Sequence, residues 1–181
     1  IVYVPLEGGK SFQQSPFVTS AERLVFPVKF KGKLVGWQMR TLPGTFYGDQ
    51  PKALRYYQIF PKGDYLYNYD NAKKYEAVVV VEGVKKALKF PNGVATFGAG
   101  VSLEQKQLIQ ANWKKVVVML DAEEDNGTQK MAREMTQAFR DMGLQCINVD
   151  LSRYNYNSPD DASADELENI VYNEWLRRYK F

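Results

Sequence analysis

The sequence predicts an α/β protein in which helices flank a parallel sheet, preceded by a smaller α+β lobe. After residue 75, short apolar runs alternate with helical segments, which is typical of parallel strands joined by helical crossovers. The first 75 residues instead show a hairpin pattern with a glycine at the turn. Of the 181 residues, 45% are hydrophobic, enough for one substantial core beside a small lobe. We predict a basic N-terminal lobe over residues 1–75, and an α/β domain with a C-terminal helix over residues 76–181.

The N-terminal lobe is predicted to contain a hairpin and an exposed loop. The apolar runs at residues 24–30 and 34–37 are separated by Lys31-Gly32-Lys33, and a glycine there favours a tight turn. Residues 43–51 are polar and contain Gly and Pro, which predicts a loop. The alternating tyrosines at 65, 67 and 69 indicate one packed face of a strand, and stacking on single-stranded bases is the alternative.

The α/β domain is predicted from continuous apolar runs and capping signals. Runs of this kind are typical of parallel strands buried on both faces. Strands are expected at residues 77–81, 94–97, 115–120 and 145–149, and helices at residues 84–90, 102–112, 127–142 and 164–179. Ser102 and Gln105 have the spacing of a capping box, and Gly143 is expected to end a helix. The single cysteine, Cys146, is expected to be a small core residue.

The composition excludes several kinds of chemistry. The chain has no histidine, which excludes His-based triads and imidazole acid–base catalysis. No apolar run approaches the ~18 residues of a membrane span, so no membrane partner is expected. Residues 1–75 carry eleven Lys and Arg against five Asp and Glu, whereas residues 76–181 carry thirteen against sixteen. This asymmetry suits a protein that grips polyanions with one half and binds cations with the other, although ordinary uneven surface charge explains it equally well.

Acidic residues follow the predicted strands, where an open α/β sheet places its chemistry. Glu82 follows the first strand of the α/β domain, Asp121 opens the acidic run DAEED, and Asp160 and Asp161 lie in a later turn. Carboxylates without histidine or thiolate favour a hard cation such as Mg²⁺ or Mn²⁺. The alternatives are a helix cap, a charged loop and a solvated turn.

The segments VVVVEG, ATFGAG, VVVMLDAEEDNG and a late PDD resemble the successive motifs of the Toprim domain. That domain is shared by bacterial-type primases, topoisomerases and some nucleases. The resemblance implies a Toprim-like parallel sheet and a divalent metal site. It assigns catalysis and metal binding to Glu82, Asp121 and Glu123, with Asp160 and Asp161 as further metal ligands, and it matches Gly98 to the family's turn after the second strand.

The upstream elements resemble those of the bacterial and phage primase core in their order. The series runs from RLVFPV at residue 23 through Gly32, Gly36, PKAL at residue 51 and FPKG at residue 60. The resemblance implies that basic side chains of this region contact nucleotide phosphates and DNA. The implied nucleotide- or DNA-binding set is Arg40, Lys52, Arg55, Lys62 and Lys86. The alternative is that these basic side chains are solvated surface.

Departures from the family pattern accompany the resemblance. Lys86 stands where the first motif usually has aspartate, Glu123 replaces the second aspartate of the D-x-D motif, and Arg55 replaces an asparagine. They indicate a divergent lineage and leave the number of bound metal ions open.

The resemblance implies a cytoplasmic DNA primase core, in a bacterial cell or a phage-infected host, that synthesises RNA primers. Its partners would be a single-stranded DNA template, ribonucleoside triphosphates and, through flanking regions, a replicative helicase. Because the chain begins with Ile1 rather than Met, we expect a fragment without its flanking domains. A Toprim nuclease and a non-catalytic module that binds single-stranded nucleic acid are the alternatives.

Overall fold

A computed structural model describes residues 2–4, 23–41, 56–58, 60–122 and 127–179. The chain divides into two compact units, Ile1–Phe60 and Pro61–Phe181. This boundary lies earlier than the predicted one between residues 75 and 76.

The first unit contains a four-stranded antiparallel sheet. Its strands are β1 (Val2–Val4), β2 (Arg23–Phe30), β3 (Lys33–Thr41) and β4 (Tyr56–Gln58), and they pair in sequence order. A two-residue turn joins β2 to β3, and both of its residues have positive φ, 51° at Lys31 and 78° at Gly32. Such a turn follows the twist of the strands, which explains the predicted hairpin. The predicted loop at residues 43–51 lies outside the described residues.

The second unit contains a four-stranded parallel sheet. Its strands are β5 (Ala77–Val81), β6 (Gly93–Ala95), β7 (Lys115–Val118) and β8 (Gln145–Asn148), in the order β6-β5-β7-β8. The valines of β5 and β7 are almost fully buried, as parallel strands covered on both faces require. The predicted α/β architecture, with a parallel sheet flanked by helices and a smaller N-terminal lobe, is confirmed.

Helices connect these strands and end the chain. They are α1 (Tyr69–Ala72), α2 (Val84–Ala87), α3 (Leu103–Asn112), α4 (Thr128–Asp141) and α5 (Ala164–Tyr179), with 3₁₀ turns at Lys62–Asp64, Leu151–Tyr154 and Pro159–Asp161. Ser102 caps α3 with the predicted capping box to Gln105. Gly143 follows α4 with a φ of 84°, a conformation that favours glycine. Among the described residues, none of the helices combines the length and apolar character needed to span a bilayer.

Residues 61–75 belong to the second unit because their backbone and aromatic side chains pack on it. The Tyr67 N–H donates to the Ala95 carbonyl at 3.0 Å. The Tyr69 ring meets the Trp113 ring edge to face, with centroids 5.8 Å apart. The predicted packing role of Tyr67 and Tyr69 is therefore confirmed. The strand expected there is wrong, since Tyr67 forms only an isolated bridge and Tyr69 begins a helix.

Candidate active site at the carboxyl edge of the parallel sheet

Two of the predicted catalytic acids meet at the carboxyl ends of neighbouring strands. Glu82 directly follows β5, and Asp121 lies just beyond β7, which pairs with β5. The Asp121 N–H donates to Glu82 Oε1 at 3.3 Å. Because parallel strands end at one edge of a sheet, two acids that are distant in sequence become neighbours.

Gln129 fixes the main chain of Asp121 from the other side. Its Nε2 donates to the Asp121 carbonyl at 2.8 Å, and its Oε1 accepts from Asn148 Nδ2 at 3.3 Å. Gly127, with a φ of 66°, is the N-cap residue of α4, and the buried Gln129 lies in the first turn of that helix. Sequence reasoning missed Gln129, because a glutamine on an amphipathic helix carries no local signal for a long-range amide contact.

Lys86 lies against Asp121 and donates to both of its carboxylate oxygens. The two side chains are only 15% and 21% exposed, so water screens the pair weakly. Lys86 reaches this position because the short helix α2 starts directly after Glu82 and Gly83. The structure therefore places a predicted nucleotide-binding lysine in direct contact with a predicted catalytic acid.

The late acidic turn lies beside the same edge. The Ala122 N–H donates to the Asn157 carbonyl at 2.7 Å and ties the turn to the chain leaving β7. Asp161 Oδ2 accepts from the main-chain N–H groups of Asn157 at 3.1 Å and Ser158 at 2.9 Å, which is a capping role. Asp160 forms an ion pair with Lys85 at 3.4 Å, and both side chains are well exposed. Exposed pairs of this kind contribute little to stability.

Lys62 lies at the turn that follows β6. Phe97 has a φ of 63°, a strained conformation for a residue other than glycine, and it turns the chain at the end of the strand. The next residue, Gly98, donates its N–H to the Glu82 carbonyl at 3.0 Å. A methyl group at Gly98 would lie 3.8 Å from Lys62 Nζ, so this ammonium lies against the turn that holds Glu82.

The other predicted site residues lie in the first unit or outside the described residues. Arg40 is half-buried in β3 of the first unit, where it pairs in register with Leu24 and Tyr56. Glu123, Lys52 and Arg55 lie outside the described residues. Their predicted roles stay predictions.

The donor chemistry at this edge suits a hard divalent cation, since carboxylate oxygens are the ligands that Mg²⁺ and Mn²⁺ prefer. Within residues 2–4, 23–41, 56–58, 60–122 and 127–179, no three His, Cys, Asp or Glu side chains lie close enough together to hold a metal ion. The described part of this edge thus supplies two carboxylates, those of Glu82 and Asp121. The Lys86 ammonium forms an ion pair with Asp121. Metal binding at this edge stays a prediction.

Thiolate chemistry does not belong to this site. Cys146 is fully buried in β8, and burial raises the pKa of its thiol to about 12. The thiol therefore stays protonated at neutral pH, as expected for a core residue.

Comparison with known sequences points to DNA primases. No protein-family model matches the chain. A DNA primase of Halalkalibacterium halodurans is 33% identical over 56% of this chain, and one of Clostridium acetobutylicum is 31% identical over 56% of it. The matched region spans 18% of the length of each relative.

Solved structures decide the fold. The Aquifex aeolicus primase, solved as zinc-binding and RNA polymerase domains, superposes with a TM-score of 0.65 at 23% identity, covering 83% of this chain and 40% of that one. The fold is that of a primase catalytic core. The RNA polymerase domain of Mycobacterium tuberculosis primase matches with a TM-score of 0.64 at 17% identity, covering 86% of this chain and 57% of that one. A primase catalytic domain bound to single-stranded DNA gives 0.63 at 20% identity, covering 86% and 54%.

Proposed function

We propose that the chain is the Toprim-type catalytic core of a DNA primase, which synthesises short RNA primers on single-stranded DNA. The observation that carries the proposal is the meeting of Glu82 and Asp121 at the carboxyl edge of a parallel sheet within a primase-core fold. The sequence similarity to DNA primases supports the same reaction class.

In the proposed reaction, the 3′-hydroxyl oxygen of the primer bonds to the α-phosphorus of a ribonucleoside triphosphate, and pyrophosphate leaves. A divalent ion bound at this edge would stabilise the charge that develops on the transferred phosphorus and the leaving group. Glu82 and Asp121 supply the carboxylates for that ion. The hydrogen bonds to the main chain of Asp121 hold the two acids next to each other. Lys62, as a point charge beside the Gly98 turn, attracts the phosphates of the incoming nucleotide.

The carboxylates are tested by RNA synthesis on single-stranded DNA with labelled ribonucleotides and Mg²⁺ or Mn²⁺. We expect Glu82→Gln and Asp121→Asn each to lower product formation about a hundredfold or more, because each removes charge that stabilises the transition state. Glu168→Gln, an exposed change on α5, is the matched control and should leave synthesis unchanged. Extension of a preformed primer should be assayed alongside, because the chain matches only part of each primase relative.

One observation favours a second candidate, a module that binds single-stranded nucleic acid without polymerising it. Lys86 engages Asp121 as a structural ion pair would. Binding of single-stranded DNA by the wild type, with no extension of a supplied primer, would favour this module. If the wild type instead cleaves the DNA and both carboxylate variants lack this cleavage activity, the protein is a nuclease.

A further inference from the structure

The segment from Lys85 to Lys89 directs three lysine side chains at the loops beyond the sheet. Lys85 Nζ meets Asp160 at 3.4 Å, Lys89 Nζ donates to the Ala162 carbonyl at 3.0 Å, and Lys86 Nζ binds Asp121. Lys86 differs from Lys85 in its surroundings. Its pair with Asp121 is mostly shielded from water, whereas the Lys85 and Asp160 side chains are 47% and 35% exposed.

The environment of Asp121 explains what such a shielded ammonium does. A largely buried carboxylate is stabilised by a neighbouring cation or by several hydrogen-bond donors. The described contacts to the Asp121 carboxylate oxygens come from Lys86, while the Asp121 backbone is held by Glu82 and Gln129. Lys86 therefore already supplies, at Asp121, the positive charge that a metal ion would bring.

We propose that Lys86 is a resident cation that neutralises Asp121 and competes with a divalent metal ion for its carboxylate. A divalent ion reaches the Asp121 oxygens only as the ammonium leaves them. This competition weakens the binding of a divalent ion to Asp121. The inference rests on the proposed metal-binding role of Asp121 in the primase reaction, and it is tested by metal binding rather than by RNA synthesis.

The experiment measures the dissociation constant of Mn²⁺ for the full chain, from the loss of the free-ion electron paramagnetic resonance signal on titration with MnCl₂. Removing the lysine charge in Lys86→Met should tighten binding roughly tenfold or more, because the ammonium repels a divalent cation and occupies the carboxylate oxygens that the ion would use. Lys86→Gln keeps a hydrogen-bond donor without the charge, and it should show the same gain. Lys86→Arg keeps the charge and should remain near the wild type.

Two further variants assign the gain to the pair. Adding Asp121→Asn to Lys86→Met should abolish the gain, because the freed carboxylate is then lost. Lys115→Met is the matched control: it breaks another lysine–carboxylate pair, with Glu76 at 2.8 Å, and makes the same change in net charge at the amino end of β7. It should leave Mn²⁺ binding unchanged.

Equal or weaker Mn²⁺ binding by both neutral variants would overturn the inference, as would a gain that persists without Asp121. Failure of this inference can be distinguished from failure of the proposed function. If Lys86→Met binds Mn²⁺ more tightly but the wild type neither starts nor extends RNA, the result would support this inference and contradict the proposed primase function. If the wild type synthesises RNA but Lys86→Met and Lys86→Gln bind Mn²⁺ with unaltered affinity, the result would support the proposed function and contradict this inference.

Discussion

Gln105 helps to hold the turn that carries Lys62 against the rest of the parallel-sheet unit. Its side chain is 1% exposed, and its Nε2 donates to the carbonyls of Lys62, Tyr65 and Thr96 at 2.8–3.2 Å. Its Oε1 accepts from the Ser102 N–H at 3.1 Å. One buried amide thus completes the α3 capping box and satisfies carbonyls from two other segments.

We expect Gln105→Leu to lower the free energy of unfolding by about 2 kcal/mol or more, because the apolar side chain leaves buried carbonyls without donors. Urea-induced unfolding of the full chain measures this change. Gln107→Leu on the exposed side of α3 is the matched control and should shift the midpoint little. Equal midpoints for the two variants would mean that the Gln105 amide is not a structural clamp.

At the residue scale, sequence reasoning found the identity of the important side chains more readily than their partners. The spacing of Ser102 and Gln105 predicts a capping box, which the structure contains. No local pattern predicts the contact of Gln105 with Lys62, or of Lys86 with Asp121, because these residues are 43 and 35 positions apart. Such contacts depend on which strand ends the fold brings together.

At the scale of the element, the start of α5 shows how a helix end depends on pH. The Ser163 N–H and hydroxyl donate to Glu166 Oε2 at 2.8 and 2.7 Å, and the Tyr156 hydroxyl donates to Glu166 Oε1 at 2.9 Å. The Ser163 hydrogen bonds are the main reason that the pKa of Glu166 lies below its ordinary value of 4.5. The ionised carboxylate is thus the form that the folded chain prefers.

A depressed pKa in the folded state adds stability above the unfolded-state pKa, and this stability is lost as pH falls through the folded-state value. We therefore expect Glu166→Ala to be less stable than the wild type at pH 7, with the difference shrinking as the pH is lowered below about 4. Denaturant unfolding at several pH values measures this. Glu168→Ala, on the exposed face of the same helix, is the matched control. A Glu166→Ala deficit that stays constant with pH would contradict the assignment.

Element existence was predictable here, whereas element ends were less so. The structure has the predicted strand Ala77–Val81 and the predicted final helix, Ala164–Tyr179. The run KVVVML predicts a strand to residue 120, but β7 ends at Val118, while Met119 and Leu120 stay fully buried. An apolar run reports burial, and burial continues past the last regular strand pair as the chain turns toward Asp121.

At the scale of the whole molecule, the unit boundary after Phe60 follows from packing, which the local sequence pattern does not reveal. The alternation of strands and helices begins only after residue 75, so the sequence pattern assigns residues 61–75 to the predicted N-terminal lobe. Their contacts with Trp113, Ala95 and Gln105 instead make them part of the parallel-sheet unit. Lys62 therefore belongs to the unit that contains Glu82 and Asp121.

This boundary predicts how two fragments behave. We expect residues 61–181 to unfold cooperatively on heating, followed by circular dichroism. Residues 76–181 should have a clearly lower melting temperature, because Gln105 loses two acceptors and Trp113 loses both the Tyr69 ring and the Ala72 carbonyl. Equal melting temperatures would place the structural boundary at residue 75 instead.

The anchoring of Asp121 by its main chain also makes the two carboxylate variants unequal as tools for crystallography. Asp121→Asn keeps the peptide N–H and carbonyl that Glu82 and Gln129 hold, so the backbone at the strand end should stay in place. Glu82→Gln alters one of those anchors directly. Asp121→Asn is therefore the better variant for trapping the substrates of the proposed reaction, because it removes the carboxylate and leaves these main-chain anchors unchanged.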